Sequence, residues 1–335
     1  MNLDFSGFLK AFAPYRSIGI TAPASADGDS VGTQCALKEI FEGLFPQKKI
    51  RIINEETCPK RYAFLTQAKF FETSREIVKS PASEWPEVMI CVDGSTSRIG
   101  NDTTKIWKNA KLAAQVDHHA ISDGAKYDIA LCDPTAAATT EIVYRLLQNQ
   151  KIKLTRDIAQ SIYVGLVFDT GLFKHSNTSP EIMRIGAALL ETGFNHTVTA
   201  ERALLMRTPS AFALLKDVLS HVTIDLDGKF SWVVLDQGML TRAKAGDEDR
   251  DGIIENLFLI EGVRVACLLF ETQKDLWKIS FRSRGPNVAA LAQRLNPHGG
   301  GHKLASGCTL EGTRSDVVAK CQAEVKLVID EDITK

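Results

Sequence analysis

Acidic and histidine side chains follow several apolar segments of this chain, where buried elements of a sheet protein end. Asp117–His119 closes the apolar run 111–116. Carboxylates follow three further apolar runs: Asp27 and Asp29 after 17–22, Asp93 after 88–92, and Asp169 after 162–168. Open α/β sheets place their chemistry beyond the carboxyl ends of strands. Four separated carboxylate sites and one histidine pair therefore indicate a dinuclear metal centre.

The segments around these residues alternate between strand and helix patterns. After Asp29, apolar residues recur with the i, i+3, i+4, i+7 spacing of a helix packed on a sheet, at Leu37, Ile40, Phe41 and Leu44. Further strands are predicted at 49–53, around Met89 and at 111–116, and helices dominate from about Ala136 to Leu215. This alternation predicts a mostly parallel sheet with helices on both faces.

A second region begins near His221. Residues 222–235 have the pattern of two strands around an Asp-Gly turn, further strands are predicted at 262–270 and 276–281, and 317–329 has a helical pattern. A chain of 335 residues exceeds the size at which one hydrophobic core usually stops growing. We therefore predict two α/β domains, 1–195 and a smaller 221–335, joined by a helical linker at 196–220, with an active-site cleft between them.

Composition excludes several classes of protein. Hydrophobic residues make up 44% and charged residues 24%, as in globular domains, and the net charge of −1 argues against coating long nucleic acid. The sequence shows no signal-peptide pattern and no apolar run of about 18 residues, so no membrane partner is expected. The seven cysteines are an odd number and have no zinc-ligand spacing, which fits a reducing cytoplasm.

Five motifs in order carry a resemblance to a known family. They are Asp27–Gly32, Val92–Gly100, Asp117–His119, Asp169–Phe173 and Gly299–Gly307, and together they cover nearly the whole chain. The chain resembles the DHH-family phosphoesterases and, within that family, the bacterial nanoRNase/pAp phosphatases.

The resemblance implies two divalent cations, Mn²⁺ or Mg²⁺, and a role for each ligand. Asp27 would serve the first ion, Asp29, His118 and Asp169 the second, and Asp93 would bridge them. His119 would face the substrate and Asp117 would orient the histidine pair. The predicted catalytic residues are therefore Asp93, Asp117 and His119. Two such cations, about 3.5–4 Å apart, stabilise the attacking and leaving oxygens of an in-line displacement at phosphorus.

The chain departs from the family at Pro23, where a histidine normally precedes Asp27 by four residues. Proline offers no side-chain ligand, so the first ion is expected to bind weakly through Asp27, Asp93, waters and substrate oxygens. An all-oxygen ligand set suits Mg²⁺. A degenerate site without catalysis remains the alternative.

The predicted substrate contacts lie mainly in the second domain. Gly299–His302 permits close backbone approach to a ligand. In Phe281–Gly285 two arginines flank a serine, which suits phosphate contacts. By resemblance both elements belong to the DHH-associated domain, which holds the nucleotide. The alternative is a solvated basic strand end beside a flexible loop. The complete predicted substrate set is Arg98, His119, Arg282, Ser283, Arg284, Gly299, Gly300, Gly301 and His302.

These features together predict a metal-dependent hydrolase. It would release mononucleotides from very short RNA, or phosphate from 3′-phosphoadenosine 5′-phosphate (pAp), with short RNA or small nucleotides as partners. The sequence leaves the oligomeric state open, a homodimer included. One alternative is a cyclic-dinucleotide or linear dinucleotide phosphodiesterase. Another is a nucleotide-binding protein whose metal site is impaired by Pro23, against which the retention of all the other ligands counts.

Overall fold

The computed structural model describes residues 3–119 and 126–333. The chain divides into two units, Met1–Met206 and Arg207–Lys335. The division falls inside the segment 196–220 that we predicted to be a linker. The described part of that segment is mainly helical, but the predicted domain limits stay a prediction.

The first unit is built on six strands and eight helices among its described residues. The strands are β1 (Ser17–Thr21), β2 (Lys49–Asn54), β3 (Phe71–Thr73), β4 (Val88–Val92), β5 (Leu112–Asp117) and β6 (Ile129–Cys132). The helices are α1 (Phe5–Ala11), α2 (Gly28–Leu44), α3 (Ser74–Ile77), α4 (Asn101–Asn109), α5 (Thr139–Asn149), α6 (Arg156–Asp169), α7 (Pro180–Leu190) and α8 (His196–Ala200), the last continued by a π-helical turn, Glu201–Leu205.

All strand pairs of this sheet are parallel, in the order β3-β2-β1-β4-β5-β6. Alternate strand residues enter opposite hydrophobic clusters, as β-pleating requires. Ile90 of β4 joins the larger cluster with α2, α5 and α6, whereas Met89 joins a smaller cluster with Ile77 of α3 and Ile106 of α4. The predicted mostly parallel sheet with helices on both faces is confirmed.

The second unit has a mixed sheet. Its strands are β7 (Thr223–Asp225), β8 (Phe230–Leu235), β9 (Val265–Gln273), β10 (Leu276–Ser283), β11 (Gly300–His302) and β12 (Ala305–Glu311). Its helices are α9 (Pro209–Leu219), α10 (Gln237–Ala243), α11 (Ile253–Phe258), α12 (Val288–Leu295) and α13 (Arg314–Ile333). The order is β11-β12-β10-β9-β8-β7, and β8 and β9 are the parallel pair. The predicted hairpin at 222–235 is present as β7 and β8.

Two hydrophobic clusters cover the second sheet. One includes α12 and α13 residues such as Leu291 and Val325, and the other includes α9 to α11 residues such as Leu214 and Leu257. Across the described ranges of both units, none of the helices combines the length and apolarity needed to cross a membrane.

Candidate metal centre

The strand order of the first unit creates a natural site at one edge of its sheet. The chain proceeds outward from β1 to β2 and β3, then returns to place β4 on the other side of β1. Ligands of open parallel sheets bind at such a switch point, beyond the carboxyl ends of the strands. Asp93 follows β4 directly and Asp117 ends β5, while Asp27 lies between β1 and α2. The carboxylates predicted from sequence therefore converge here.

The two aspartates of the first motif have different structural partners. Asp27 is the N-cap of α2, and its Oδ1 accepts hydrogen bonds from the backbone N–H groups of Asp29 and Ser30, both at 3.0 Å. Asp29 is fully buried and caps a different helix, α5. Its oxygens accept from the backbone N–H groups of Thr139 (2.6 Å) and Thr140 (3.0 Å) and from the Thr140 hydroxyl (2.8 Å).

Close packing of α6 encloses the Asp29 carboxylate. A Cβ at Gly165 would lie 2.3 Å from Asp29 Oδ1 and 2.4 Å from Thr140 Oγ1, so only glycine fits there. The absence of a side chain at residue 165 allows three helices to meet around one carboxylate. Asp29 is thereby held in one position before any ligand binds.

Asp93 lies at the centre of the cluster in an unusual backbone conformation. Its φ is +56°, a region that non-glycine residues rarely adopt and that is enriched at functional sites. Ser30 Oγ donates to its Oδ2 at 2.6 Å and Thr139 Oγ1 donates to its Oδ1 at 3.1 Å. These hydroxyls fix the carboxylate that we predicted to bridge two ions.

The first histidine of the pair contacts the carboxylates directly. His118 Nε2 lies 3.2 Å from Asp169 Oδ2 and 3.7 Å from Asp93 Oδ1. Its other ring nitrogen, Nδ1, lies 3.3 Å from the carbonyl oxygen of Ala136. A proton on Nδ1 satisfies that carbonyl and leaves the lone pair of Nε2 directed to the cluster.

The second histidine is held by Asp117. Asp117 Oδ1 accepts from the backbone N–H of His119 at 3.0 Å and from its Nδ1 at 2.8 Å. Asp117 Oδ2 accepts from Gln115 Nε2 at 3.1 Å, and the same nitrogen also donates to the carbonyl oxygen of Gly94. The hydrogen bond that His119 donates to Asp117 raises the pKa of His119. Gln115 thus links the Asp93–Gly94 turn to the Asp117–His119 pair.

Asp169 is the last residue of α6, so its carboxylate lies at the negative end of the helix dipole. The sequence alone placed it after an apolar run in a mainly helical region, which agrees with this position. Its Oδ2 is buried and makes no hydrogen bond with any residue that the structure describes. A buried acceptor without a donor costs free energy unless another partner, such as a cation, satisfies it.

The electrostatics of the cluster favour a bound cation. Burial, followed by repulsion from neighbouring carboxylates, raises the pKa of Asp93 and of Asp169 well above the usual value. Burial also raises the pKa of Asp27, although hydrogen bonds partly offset it. The contacts found among the described residues give these carboxylates no lysine or arginine partner. Carboxylate oxygens with imidazole nitrogens form a donor set suited to divalent metals.

Two groups of potential ligands can be identified within the described ranges. Asp29, His118 and Asp169 form one, and Asp93, His118 and His119 form the other; in each, the ligand atoms lie within 4.8 Å of one another. The first group matches the predicted second-ion set. Together with the orphaned Asp169 Oδ2, these donors fit a divalent cation.

Pro23 and Arg98 lie in the loops that contain Asp27 and Asp93. Pro23 is buried, and its Cγ would lie 2.7 Å from a Cβ added to Gly94, whose φ is +137°. Arg98 is exposed at the end of a 3₁₀ turn, Thr96–Arg98, and its carbonyl oxygen accepts from the N–H of Ala24 at 2.7 Å. The loop that carries Pro23 is therefore tied to the segment after Asp93. The substrate role of Arg98 stays a prediction.

The predicted basic strand end of the second unit has protein partners. Arg282 Nε and Nη2 contact Glu255 Oε1 at 3.1 and 3.0 Å. The buried Ser283 hydroxyl donates to the carbonyl oxygen of Pro286 at 2.7 Å. Arg284 is exposed; it donates to the carbonyl oxygen of Val263, and its guanidinium lies 4.2 Å from the ring centre of Phe258. Their substrate roles stay predictions.

The glycine segment of the second unit forms a hairpin. Gly300–His302 is β11, which pairs with β12. Gly299 packs against the preceding helix, α12, because an added Cβ would lie 2.4 Å from the carbonyl oxygen of Ala292. Gly301 has a φ of +134°. Gly300 and the exposed His302 complete the strand. Two of the glycines are thus required by the fold, and ligand binding by the segment stays a prediction.

Sequence analysis missed the residues that orient the carboxylates: Ser30, Gln115, Thr139, Thr140 and Gly165. A Thr-Thr-Glu run at the start of a helix signals a cap, but the structure shows that Asp29, more than a hundred residues away in the chain, accepts from this helix. Nothing local in the sequence reports that pairing.

Two family models match the chain. The model of the DHH family N-terminal domain matches residues 17–166, and the model of the DHHA1 domain matches residues 240–331.

Several curated proteins and solved structures are similar over much of the chain. The bifunctional oligoribonuclease and PAP phosphatase NrnA of Thermus thermophilus is 33% identical over 60% of this chain, but the match spans only 59% of that protein. The Bacillus subtilis protein of the same name is 27% identical over 90% of this chain and 92% of its own length. A crystal structure of an exopolyphosphatase-related protein from Bacteroides fragilis has the same fold, with a TM-score of 0.87, 24% identity, and coverage of 96% of this chain and 95% of that one.

The two matched models lie in the order that the five motifs predicted, and the first covers the parallel sheet and most of the residues of the metal centre. The chain therefore belongs to the DHH phosphoesterase family, with a DHHA1 domain following its DHH domain.

Proposed function

We propose that this protein is a metal-dependent phosphoesterase that hydrolyses very short oligoribonucleotides to mononucleotides and pAp to AMP. The observation that carries this proposal is the convergence of Asp29, Asp93, His118 and Asp169 at one sheet edge, with Asp27 beside them. The relatives named as oligoribonucleases and PAP phosphatases support the substrate class.

The ligand roles proposed from sequence are compatible with the geometry. Asp29, His118 and Asp169 would hold one cation, Asp27 would hold a second, and Asp93 would bridge them. Bound Mn²⁺ or Mg²⁺ supplies a nucleophile at neutral pH and neutralises charge on the phosphate. Burial and then repulsion raise the pKa values of Asp93 and Asp169, and a positive charge entering the cluster would offset both effects.

The protein itself supplies orientation. Ser30 and Thr139 fix both oxygens of Asp93, and the α5 N-terminus fixes both oxygens of Asp29. Catalytic and ligating groups must be held to within about 0.5 Å of their productive geometry, and these buried hydroxyl and amide donors hold the two carboxylates in place. The hydrogen bond from His119 to Asp117 keeps the second imidazole in one orientation at the half-exposed side of the site.

Basic side chains are the main substrate contacts that we propose. Arg98, Arg282 and Arg284 are the proposed phosphate contacts, because a guanidinium forms charge-assisted hydrogen bonds with phosphate oxygens. Ser283, Gly299–Gly301 and His302 are proposed to shape the nucleotide site. The near-zero net charge supports a short substrate, since long nucleic acid is bound mainly through phosphate contacts.

A non-enzymatic nucleotide-binding protein is the second candidate, because Pro23 provides no metal ligand beside Asp27. The two candidates differ in turnover. We expect release of mononucleotides from 5′-labelled diribonucleotide and of phosphate from pAp with Mn²⁺ or Mg²⁺, and loss of both with a chelator.

Two comparisons make this assay decisive. A 24-nucleotide RNA and a cyclic dinucleotide, run in parallel, test substrate length and the alternative phosphodiesterase activity. Binding of diribonucleotide without turnover under every metal condition would favour the non-enzymatic candidate. Preferred cleavage of the cyclic dinucleotide would replace the proposed substrate class while leaving the metal centre intact.

A further inference from the structure

The potential ligands of the metal centre do not form two separate sets. Within the described ranges, one group of three is Asp29, His118 and Asp169, and the other is Asp93, His118 and His119. Both groups contain His118, whose Nε2 is the ring nitrogen that lies near the carboxylates. An imidazole nitrogen has one lone pair and binds one cation at a time. The side chains described therefore complete one three-ligand set at a time.

Asp27 belongs to neither of these groups. Its Oδ1 accepts from the backbone N–H groups of Asp29 and Ser30, both at 3.0 Å. Ser30 also donates from its hydroxyl to Asp93 Oδ2 at 2.6 Å, so a single residue links the carboxylates of Asp27 and Asp93. Among the residues that the structure describes, these two carboxylates have no third ligand grouped with them.

The loop before Asp27 is held in a conformation that adds no ligand. Pro23, Ala24 and Ala26 have no donor atom in their side chains, and Ser25 is exposed. Three backbone N–H groups of the loop donate to other segments of the first unit: Ala22 to Asn54 Oδ1 at 3.1 Å, Ala24 to the carbonyl oxygen of Arg98 at 2.7 Å, and Ser25 to Glu56 Oε2 at 3.2 Å. These bonds tie the loop in place, so the Asp27 side lacks a ligand that the loop cannot turn to provide.

A phosphate oxygen has the chemistry to complete this side. Mg²⁺ is usually bound by one or two carboxylates together with substrate phosphates, and not by a cage made entirely of protein. Asp27 and Asp93 supply two such carboxylates. The remaining ligand is then an anionic oxygen that arrives with the substrate.

We infer that the free protein holds one divalent cation, at Asp29, His118 and Asp169, and takes up the second, at Asp27 and Asp93, together with a phosphate group. This inference rests on the two-cation centre of the proposed function. It goes beyond weak binding at Pro23, because it makes the second cation and the substrate bind cooperatively. By linkage, phosphate strengthens binding of that cation by the same factor as the cation strengthens binding of phosphate. The complete centre then exists only when substrate is bound.

Manganese titration of the full chain tests this inference without turnover. By calorimetry we expect one Mn²⁺ to bind tightly and a second to bind at least about tenfold more weakly. AMP or inorganic phosphate should strengthen the second ion about tenfold or more, within the usual range of coupling between sites, and leave the first unchanged. AMP affinity should rise by the same factor once the second ion is supplied. Electron paramagnetic resonance should show a spin-coupled manganese pair only when AMP or phosphate is present.

Asp27→Asn is the variant that assigns the second ion, and it has a matched control. Asparagine is as good an N-cap as aspartate, so α2 should keep its first turn. The variant should bind the first Mn²⁺ normally but lose the uptake of the second with AMP and the spin-coupled signal. Asp4→Asn makes the same change at the N-cap of α1 and should bind both ions as the natural protein does.

The outcomes separate this inference from the proposed function. Two ions of equal affinity without AMP or phosphate would overturn the inference, as would a second ion whose affinity neither ligand changes. Loss of the tightly bound ion from Asp27→Asn would overturn the assignment of the two sites. Turnover of diribonucleotide by a protein that already holds two equally tight ions removes the inference and leaves the function. Cooperative binding without turnover has the reverse result.

Discussion

The predicted metal ligands of the first unit and the predicted phosphate contacts of the second differ in how the protein satisfies them. Asp93 is buried and Asp169 is partly buried, both have strongly raised pKa values, and Asp169 Oδ2 has no hydrogen bond within the described part of the chain. Arg282 is paired with Glu255 and the Ser283 hydroxyl is bonded to a backbone carbonyl. The first region is incomplete without a cation, whereas the second is stable as it stands. A strained, uncompensated cluster is the stronger evidence of a ligand.

The largest expected effect is that of Asp93→Asn. Turnover of diribonucleotide should fall by at least about 10²–10³-fold, the scale of losing one preorganised charged group at a reaction centre. The metal-free variant should melt at a higher temperature than the natural protein. Because the pKa of Asp93 is raised, its contribution to stability is present below the usual value of 3.8 and is lost as pH rises through the folded-state pKa.

Steady-state kinetics and thermal melts in chelator check both parts of this prediction. Glu76→Gln, an exposed carboxylate paired with Lys79, is the charge-matched control and should change neither. If Asp93→Asn retained turnover with full metal content, the bridging role would be wrong. A lower melting temperature would show that burial and repulsion of the Asp93 charge do not determine its effect on stability.

Arg282→Ala should have the next largest effect, and on substrate rather than metal. Loss of one charge-assisted phosphate contact is worth about 1.5–3 kcal/mol, which corresponds to a KM increase of about 10- to 150-fold. Mn²⁺ affinity, measured by calorimetry, should stay the same. Arg314→Ala, an exposed arginine of the same unit, is the control. An unchanged KM would mean that the pairing with Glu255 is the whole role of Arg282.

Thr139→Val should have a smaller effect, which is confined to metal binding at the centre in the first unit. The change removes the hydroxyl that donates to Asp93 Oδ1 but keeps the backbone N–H bond to Asp29 and the β-branched shape. Loss of such an orienting bond typically weakens metal binding about 10- to 100-fold, and we expect the lower end because Ser30 still holds Oδ2. Titration with Mn²⁺ measures it. Thr104→Val, which removes a hydroxyl from the first turn of α4, should leave metal affinity unchanged.

The smallest expected effect is that of Glu55→Gln. The pKa of Glu55 is lowered in the folded protein, whereas that of Asp93 is raised. Burial alone would raise the pKa of Glu55, but hydrogen bonds from Thr103 and from the N–H of Asp102 at the start of α4 lower it. The stabilisation is therefore present above the usual value of 4.5 and is lost as pH falls through the folded-state pKa. We expect a loss of about 0.5–1 kcal/mol at pH 7, as for other charged groups at helix N-termini.

Denaturant unfolding of Glu55→Gln and the natural protein at pH 7 and at pH 3 measures this difference. The difference in stability between the two proteins should be smaller at pH 3 than at pH 7, with turnover unaffected at pH 7. An equal difference at both values of pH would show that shape, and not charge, determines the contribution of Glu55.

The same contrast explains what the sequence could predict. Strand positions and the residues that follow them could be predicted, because apolar runs and adjacent acidic groups are local patterns in the sequence. Asp93 after β4 and Asp117–His119 at the end of β5 are examples. Helices were predicted to dominate from about Ala136 to Leu215, the region that contains α6 and Asp169, but the limits of α6 itself were not predicted.

The contacts that orient the site residues could not be predicted from the sequence. In the sequence, Gln115 is one polar residue in an apolar strand. In the structure, its Nε2 donates hydrogen bonds to both Gly94 and Asp117. The pairing of Asp29 with the start of α5 joins residues 110 and 111 positions apart. Likewise, the partners of Arg282 and Ser283 depend on which elements meet in the folded second unit. Tertiary packing determines these contacts, and they cannot be predicted from composition or periodicity.

The long separation between Asp29 and α5 also determines when the centre can form during folding. Closing a loop of that length costs about 4 kcal/mol in chain entropy on the simplest scaling, before any contact compensates for it. The ligand set spans residues 27 to 169, so a growing polypeptide contains the complete set only after α6 has been synthesised. A cation has high affinity only for the assembled domain, and by mass action it therefore stabilises that domain, by about 2.7 kcal/mol at one hundred times its dissociation constant. With the proposed two-cation centre, we expect divalent metal to lengthen the lifetime of the folded domain as well as to support its chemistry.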